Sequence, residues 1–167
     1  KLELLDLTGN KITKLKSSTF KEVTSLKQLF LDENEIESVE TLAFSSNPKL
    51  QMISMQENKI STLYRNAFES CPQMMILLLG NNSLTSINRG AFEGMKNLQQ
   101  LNLRNNEINT IEDGAFDAVP KLTTLDMGQN DLTVIPETAF TNLKKLFWLD
   151  LSYNGIETFR TGTFPNK

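Results

Sequence analysis

Leucine-type residues and asparagines fall on a fixed ruler along this chain. The run Leu2-x-x-Leu5-x-Leu7-x-x-Asn10 returns as Leu26-x-x-Leu29-x-Leu31-x-x-Asn34. An asparagine then stands every 24 residues, at Asn10, Asn34, Asn58, Asn82, Asn106, Asn130 and Asn154. Each is followed two residues on by Ile12, Ile36, Ile60, Leu84, Ile108, Leu132 or Ile156. A second column keeps the same spacing: Phe20, Phe44, Phe68, Phe92, Phe116, Phe140 and Phe164. Ala43, Ala67, Ala91, Ala115 and Ala139 precede five of these rings, and Thr19 and Thr163 precede the other two. No insertion interrupts either column. A period of this size marks stacked supersecondary units, each too small to bury its apolar face alone.

Within a unit the pattern predicts one strand. In Leu4-Leu5-Asp6-Leu7 the period is two, so Leu5 and Leu7 face inward with Leu2 while Leu4, Asp6 and Thr8 face outward. The first strand is expected at about Glu3 to Leu7, with later strands centred near 28–31, 52–55, 76–79, 100–103, 124–127 and 148–151. No two-residue hairpin joins them, and the segments between are long enough for the crossovers that parallel neighbours need. The strands are therefore expected to stack in register as one parallel sheet. The returning segments, with scattered Gly, Thr, Asn and Pro, predict short turns and 3₁₀ pieces on the opposite side. The units read as 2–25, 26–49, 50–73, 74–97, 98–121, 122–145 and 146–167, one solenoid over 1–167.

The asparagine column has a physical reason. The chain must bend into the interior after each strand, and the bend buries backbone groups that no sheet ladder satisfies. An Asn amide carries donors and an acceptor, so one side chain can serve two neighbouring turns. The Phe column is expected to stack as a spine beneath the convex side. One inward position is polar: Asn47, where Val23 and Leu143 stand in other units, reads with Pro48 as a local turn bonding its own backbone.

Charge and composition narrow the function. The 167 residues carry 17 basic and 20 acidic side chains, a net charge of −3, which implies no basic face for nucleic acid. No apolar run approaches the roughly 20 residues needed to span a bilayer. The lone Cys71 falls in an inward column and reads as a buried thiol. There is no histidine for a Ser-His or Cys-His nucleophile, no Cys/His cluster for a metal and no phosphate-cradling Gly-rich loop. Asp126 and Asp150, side by side on adjacent strands, are near the spacing of paired glycosidase carboxylates, but Leu-Asp-Leu recurs at Leu5-Asp6-Leu7 as a strand sequence. The reading is non-enzymatic, without cofactor. The chain begins inside a unit at Lys1 and stops at Pro165-Asn166-Lys167, so caps and a leader are expected to lie in a longer parent chain.

The pattern Leu-x-x-Leu-x-Leu-x-x-Asn-x-Leu, with Gly90-Ala91-Phe92 and Gly114-Ala115-Phe116, resembles the "typical" 24-residue class of animal extracellular leucine-rich repeats. Toll-like receptors, Slit-type guidance proteins, adhesion receptors and variable lymphocyte receptors share that class. The resemblance covers Leu2 to Phe164. It implies an α/β solenoid: a right-handed leucine-rich-repeat superhelix of seven repeats, with a parallel concave sheet and an irregular or 3₁₀ convex side. It also implies an extracellular or cell-surface setting and recognition of a partner, usually a protein, by the concave face or an edge.

Outward strand positions are then the candidate contacts. The central column reads Asp6, Phe30, Ser54, Leu78, Asn102, Asp126, Asp150. Beside it runs Leu4, Gln28, Met52, Ile76, Gln100, Thr124, Trp148, and on the other side Thr8, Asp32, Gln56, Gly80, Arg104, Gly128, Ser152. Phe30, Met52, Ile76 and Leu78, with Met75, form an apolar group of the size that signifies a protein or lipid-like contact. Arg104 is a further concave candidate. Phe147, Trp148 and Tyr153 are either interface anchors or packing for an adjoining unit. Glu3, Asp6, Asp32, Glu33 and Glu57, with Lys27 among them, form an acidic region. Asn81-Asn82-Ser83 is the one N-glycosylation pattern, with Asn81 as acceptor. The leading expectation is ligand recognition in an extracellular receptor or secreted binding protein, with a role in innate immunity. Adhesion, matrix assembly or self-association as a homodimer, and inhibition of an enzyme, are the alternatives.

Overall fold

In the computed structural model, which describes residues 1–164, the chain forms twelve short strands. They are β1 (Leu4–Asp6), β2 (Lys14–Leu15), β3 (Gln28–Phe30), β4 (Ser38–Val39), β5 (Met52–Ser54), β6 (Thr62–Leu63), β7 (Ile76–Leu78), β8 (Ser86–Ile87), β9 (Gln100–Asn102), β10 (Thr110–Ile111), β11 (Thr124–Asp126) and β12 (Trp148–Asp150). The three-residue strands build one parallel sheet in the order β1-β3-β5-β7-β9-β11-β12. The register pairs equivalent residues, as in Leu5↔Leu29, Leu29↔Ile53 and Ile53↔Leu77. Because the repeat never changes length, inward side chains meet their own kind in the next coil. The residues from Leu26 to Leu143 in these columns are almost all fully buried.

The asparagine ladder is the seam. Asn58 Oδ1 accepts from Ile36 N at 2.9 Å, while its Nδ2 reaches Leu31 O at 3.0 Å, Met55 O at 3.2 Å and Gln56 O at 3.0 Å. One amide thus serves two carbonyls of its own turn and both an N–H and a carbonyl of the preceding coil. Asn34, Asn82, Asn106, Asn130 and Asn154 repeat the arrangement. Asn10, in the first coil, bonds only Leu7 O and Thr8 O. The residue before each ladder asparagine is left-handed: Gly9, Glu33, Glu57, Asn81, Asn105, Gln129 and Tyr153 all have φ between 53° and 72°. Six of the seven carry a side chain, in a region that costs such residues energy. That conformation aims the N–H at the following coil, as in Glu57 N to Gly80 O at 3.1 Å and Asn81 N to Arg104 O at 2.9 Å.

The convex side departs from expectation in two ways. Among the described residues the returning segments form the expected short turns without a helix, but no 3₁₀ run. Separate i→i+3 turns take its place, such as Ala43 N to Glu40 O and Asn47 N to Phe44 O. Leu42, Asn66, Gly90, Gly114 and Gly162 have left-handed φ in five of these segments, a conformation that no right-handed helix admits. The two-residue strands, invisible in the periodicity, form a second pairing system that splits into β2-β4-β6 and β10-β8.

The Phe spine is broken at the same junction. Phe20, Phe44 and Phe68 stack at 5.5–6.0 Å, and Phe92, Phe116, Phe140 and Phe164 follow at 5.7–6.5 Å, but no stacked pair joins Phe68 to Phe92. Both rings stay fully buried. Here the backbones close up instead: a Cβ on Gly94, at φ +93°, would lie 2.5 Å from the backbone of Phe68 and Glu69. Only glycine fits there.

Asn47 also differs from its sequence reading. Its Nδ2 donates to Phe20 O and Val23 O of the preceding coil, both at 3.1 Å, not to its own turn. Its Oδ1 is buried without a partner. Phe20 O and Val23 O also accept the N–H groups of Val23 and Leu26, so neither depends on Asn47. Cys71 is buried as expected, and burial pushes its thiol up to about 12.

Two stability outcomes follow. Asn82→Ala leaves Ile60 N without its ladder bond and Met55 O with only the one from Asn58, at a cost of about 1–3 kcal/mol, whereas Asn10→Ala costs a few tenths; equal midpoints in urea unfolding would contradict this. Asn47→Val removes the orphaned oxygen and restores the apolar column, raising stability by about 1 kcal/mol in the same assay.

Candidate functional site

The outward face of the seven-stranded sheet is built by alternation, and its central column has a structural task of its own. The residue two after each central-column position, just past the strand's end, has an N–H that the sheet ladder does not take. Asp6 Oδ1 accepts that of Thr8 at 2.9 Å, Asn102 Oδ1 that of Arg104 at 2.9 Å, Asp126 Oδ1 that of Gly128 at 3.0 Å, and Asp150 Oδ1 that of Ser152 at 2.8 Å. These are Asx turns closing the strand end. Asp126 and Asp150 are thus turn caps placed side by side by the register, which accounts for the carboxylate pair without catalysis.

Repeats two to four break this rule. Phe30 and Leu78 carry no acceptor, so the N–H groups of Asp32 and Gly80 lack the Asx bond. In repeat three Asp32 reaches across from the preceding coil: its Oδ1 accepts both Gln56 N and Ser54 Oγ–H at 2.6 Å. Ser54 lies between Phe30 and Leu78 in the register and is 1% exposed.

The predicted apolar group is brought together in part. Met52 pairs directly with Ile76, and Phe30 and Leu78 flank Ser54. All four are half-buried, packed into the surface more than displayed on it. Met75, 37% exposed, sits one residue before β7 at the sheet's entry edge. Arg104 and Trp148 belong to a different zone, on repeats five to seven.

That second zone is concave and mixes polar side chains with aromatic ones. A cavity of about 390 Å³ is lined by Gln100, Leu101, Asn102, Thr124, Asp126, Phe147 and Trp148. Phe147 is 88% exposed and Trp148 43%. At its edge Arg104 Nη1 lies 3.0 Å from Asp150 Oδ2 and 3.7 Å from Asp126 Oδ1. The Ser152 hydroxyl and N–H and, more weakly, Arg104 hold the Asp150 carboxyl below the ordinary aspartate value. Gly128 permits this bridge: a Cβ there would stand 2.5 Å from Arg104 Nη1. The sequence places Asp126, Asn102, Gln100 and Thr124 in the outward columns beside Trp148 without singling them out.

The acidic region near the first strands is largely engaged. Glu3 pairs with Lys27 at 2.8 Å, which lowers the Glu3 carboxyl, and Asp6 and Asp32 hold the backbone as described. Asn81 is exposed, and its Oδ1 accepts from Asn105 Nδ2 at 2.6 Å. Among the described residues, no group of His, Cys, Asp and Glu is arranged to hold a metal, and no helix is long and apolar enough to cross a membrane.

Known proteins share this architecture. The chain is similar to TLR13, solved in complex with ssRNA13, with 27% identity, a TM-score of 0.72, and 95% of this chain and 26% of that one covered. It is similar to Drosophila Toll, solved with Spatzle in a glycosylated form, with 25% identity, a TM-score of 0.82, and 92% and 22% covered. It shares the fold of an internalin from Listeria monocytogenes, with 24% identity, a TM-score of 0.75, and 95% and 44% covered. The chain spans less than half the length of each of these. Curated proteins give no match. The leucine rich repeat family model matches residues 1–60, 25–74, 72–132 and 120–166. With that coverage, and with its asparagines, leucines and phenylalanines forming the seam, core and convex packing of one solenoid, the chain belongs to the leucine-rich repeat family.

Proposed function

We propose that the chain is a non-enzymatic recognition module of an extracellular receptor or secreted binding protein, and that it takes a protein ligand on its concave face. One observation carries this reading. The central outward column holds Asp or Asn in repeats one, five, six and seven, where each caps its own strand, yet Phe30 and Leu78 occupy it in repeats two and four. Each forgoes a bond of about 1 kcal/mol that the fold would otherwise gain. Together with Met52 and Ile76 they form a contiguous apolar strip on a sheet whose other outward side chains are mostly polar, which favours a contact surface over scattered exposure.

The neighbours support this class. Toll was solved bound to Spatzle, a complex described as a molecular hub in Drosophila development and innate immunity. TLR13 was solved bound to single-stranded RNA. The exclusion of nucleic acid drawn from net charge is therefore not kept: a whole-chain sum of −3 does not describe any one face. The strip's apolar character still favours protein over RNA, with a lipid-like ligand as the lesser fit. An extracellular setting makes Asn81 the glycan acceptor, since its Nδ2 makes no hydrogen bond among the described residues while Asn82 is locked in the ladder.

The test changes the strip without changing the fold. Leu78→Asp puts into the column a residue that the column already accepts, and Met52→Glu adds charge at a half-buried position. The double variant is expected to melt like the parent but to lose the proteins that the immobilised parent captures from extracellular fluid. Unchanged capture refutes the concave strip, and a concentration-dependent dimer in light scattering would place self-association there instead. Expressed through a secretory host, the chain is expected to lose mass on endoglycosidase treatment, and Asn81→Gln to show no such loss.

A further inference from the structure

We infer that the cavity on repeats five to seven receives an arginine side chain of the protein partner, gripped between Asp126 and Trp148. The inference rests on reading the concave face as the recognition surface, and it assigns a second, charged contact beyond the apolar strip.

The charge arithmetic is local. One guanidinium, Arg104, faces two carboxylates. Asp150 is engaged at both oxygens: Oδ1 takes Ser152 N at 2.8 Å and Oδ2 takes Arg104 Nη1 at 3.0 Å. Asp126 has only Gly128 N on Oδ1 at 3.0 Å, with Arg104 at 3.7 Å, beyond hydrogen-bond reach. Its Oδ2 has no partner among the described residues. The surplus negative charge of the cluster therefore resides on Asp126, and Asp126 lines the cavity.

The walls complete the selection. Trp148 and Phe147 bound the same cavity as Asp126, and both expose ring surface. A cation over an indole face gains attraction from the ring quadrupole, with Trp the best acceptor. Arginine suits the pair better than lysine, because its planar guanidinium stacks on the ring while donating to a carboxylate at its edge. Gln100, Asn102 and Thr124 supply neutral polar floor and no competing cation. A nucleic-acid strand would meet Asp126 with like charge, so protein is the class these groups favour.

Trp148 is the sole tryptophan of the chain, so its emission reports on this cavity directly. The probes are a terminally blocked Gly-Arg-Gly peptide, its norleucine counterpart and a short single-stranded RNA. The arginine peptide is expected to shift the emission saturably, with half-saturation on the order of 1 mM and weakening with salt. Asp126→Asn should raise the half-saturation at least about 5-fold. This variant keeps the Oδ1 that caps Gly128, as Asn102 does for Arg104. Should it nonetheless melt early, Thr124→Arg supplies a guanidinium from within and is expected to block the peptide response.

No saturable response to the arginine peptide, an equal response to norleucine, or RNA acting at lower concentration than the peptide would overturn the inference. These titrations do not involve Met52 or Leu78. Failure here with loss of capture in the strip variant removes only the arginine site, whereas unchanged capture in that variant counts against the concave strip instead.

Discussion

Each coil is held by an amide that belongs to its neighbour. The chain turns inward at the end of every strand, and the turn strands an N–H and several carbonyls in a region water does not reach. Asn34, Asn58, Asn82, Asn106, Asn130 and Asn154 settle this by reaching back across the stack, each linking its own bend to the one before. The geometry works only when the asparagine and the groups it serves keep a constant offset. One inserted residue would carry Oδ1 away from its N–H and rotate the following strand's side chains to the wrong face. The unbroken 24-residue spacing is a consequence of that bonding.

Committing the interior so completely leaves the outward columns free to differ. Their remaining duty is to cap the strand end, and Asp6, Asn102, Asp126 and Asp150 do so at no cost to the core. The face then divides. Repeats two to four exchange caps for an apolar strip, while repeats five to seven keep the caps and add an ion cluster and aromatic walls. Binding on such a face combines burial at one end with charge selection at the other, the usual division between affinity and specificity.

How much of this was legible in the sequence depends on whether the feature repeats. The ladder at Asn58, the inward Leu29 and Ile53, and the strand positions were readable because every unit states them again. The left-handed bend was not, since only Gly9, Asn81 and Asn105 among its seven residues are types that favour it; Glu33, Glu57 and Gln129 adopt it because the surrounding bonds hold them there. The split between β6 and β8 and the missing stack between Phe68 and Phe92 fall at the same junction as the close approach at Gly94, a local departure that periodicity averages away. Asn47 was read as bonding locally, yet its partners lie 27 and 24 residues back. The columns put Arg104 near Asp126 and Asp150, but only coordinates show that the guanidinium passes over the nearer repeat to bond the farther one.

That last choice is made by what is missing. Asp126 is one coil from Arg104 and Asp150 is two, and length alone would favour the nearer carboxylate. The exit position of the intervening coil is Gly128, whose absent Cβ is the space that Arg104 Nη1 occupies. A larger residue would crowd that space, and the guanidinium would have to shift away from its present path to Asp150. With glycine present, Arg104 is drawn past Asp126 and the nearer carboxylate keeps an unsatisfied oxygen beside Trp148. The charge of this surface is therefore set by a residue that carries neither charge nor side chain, and a reading of the face from its polar residues alone would assign the free carboxylate to the wrong strand.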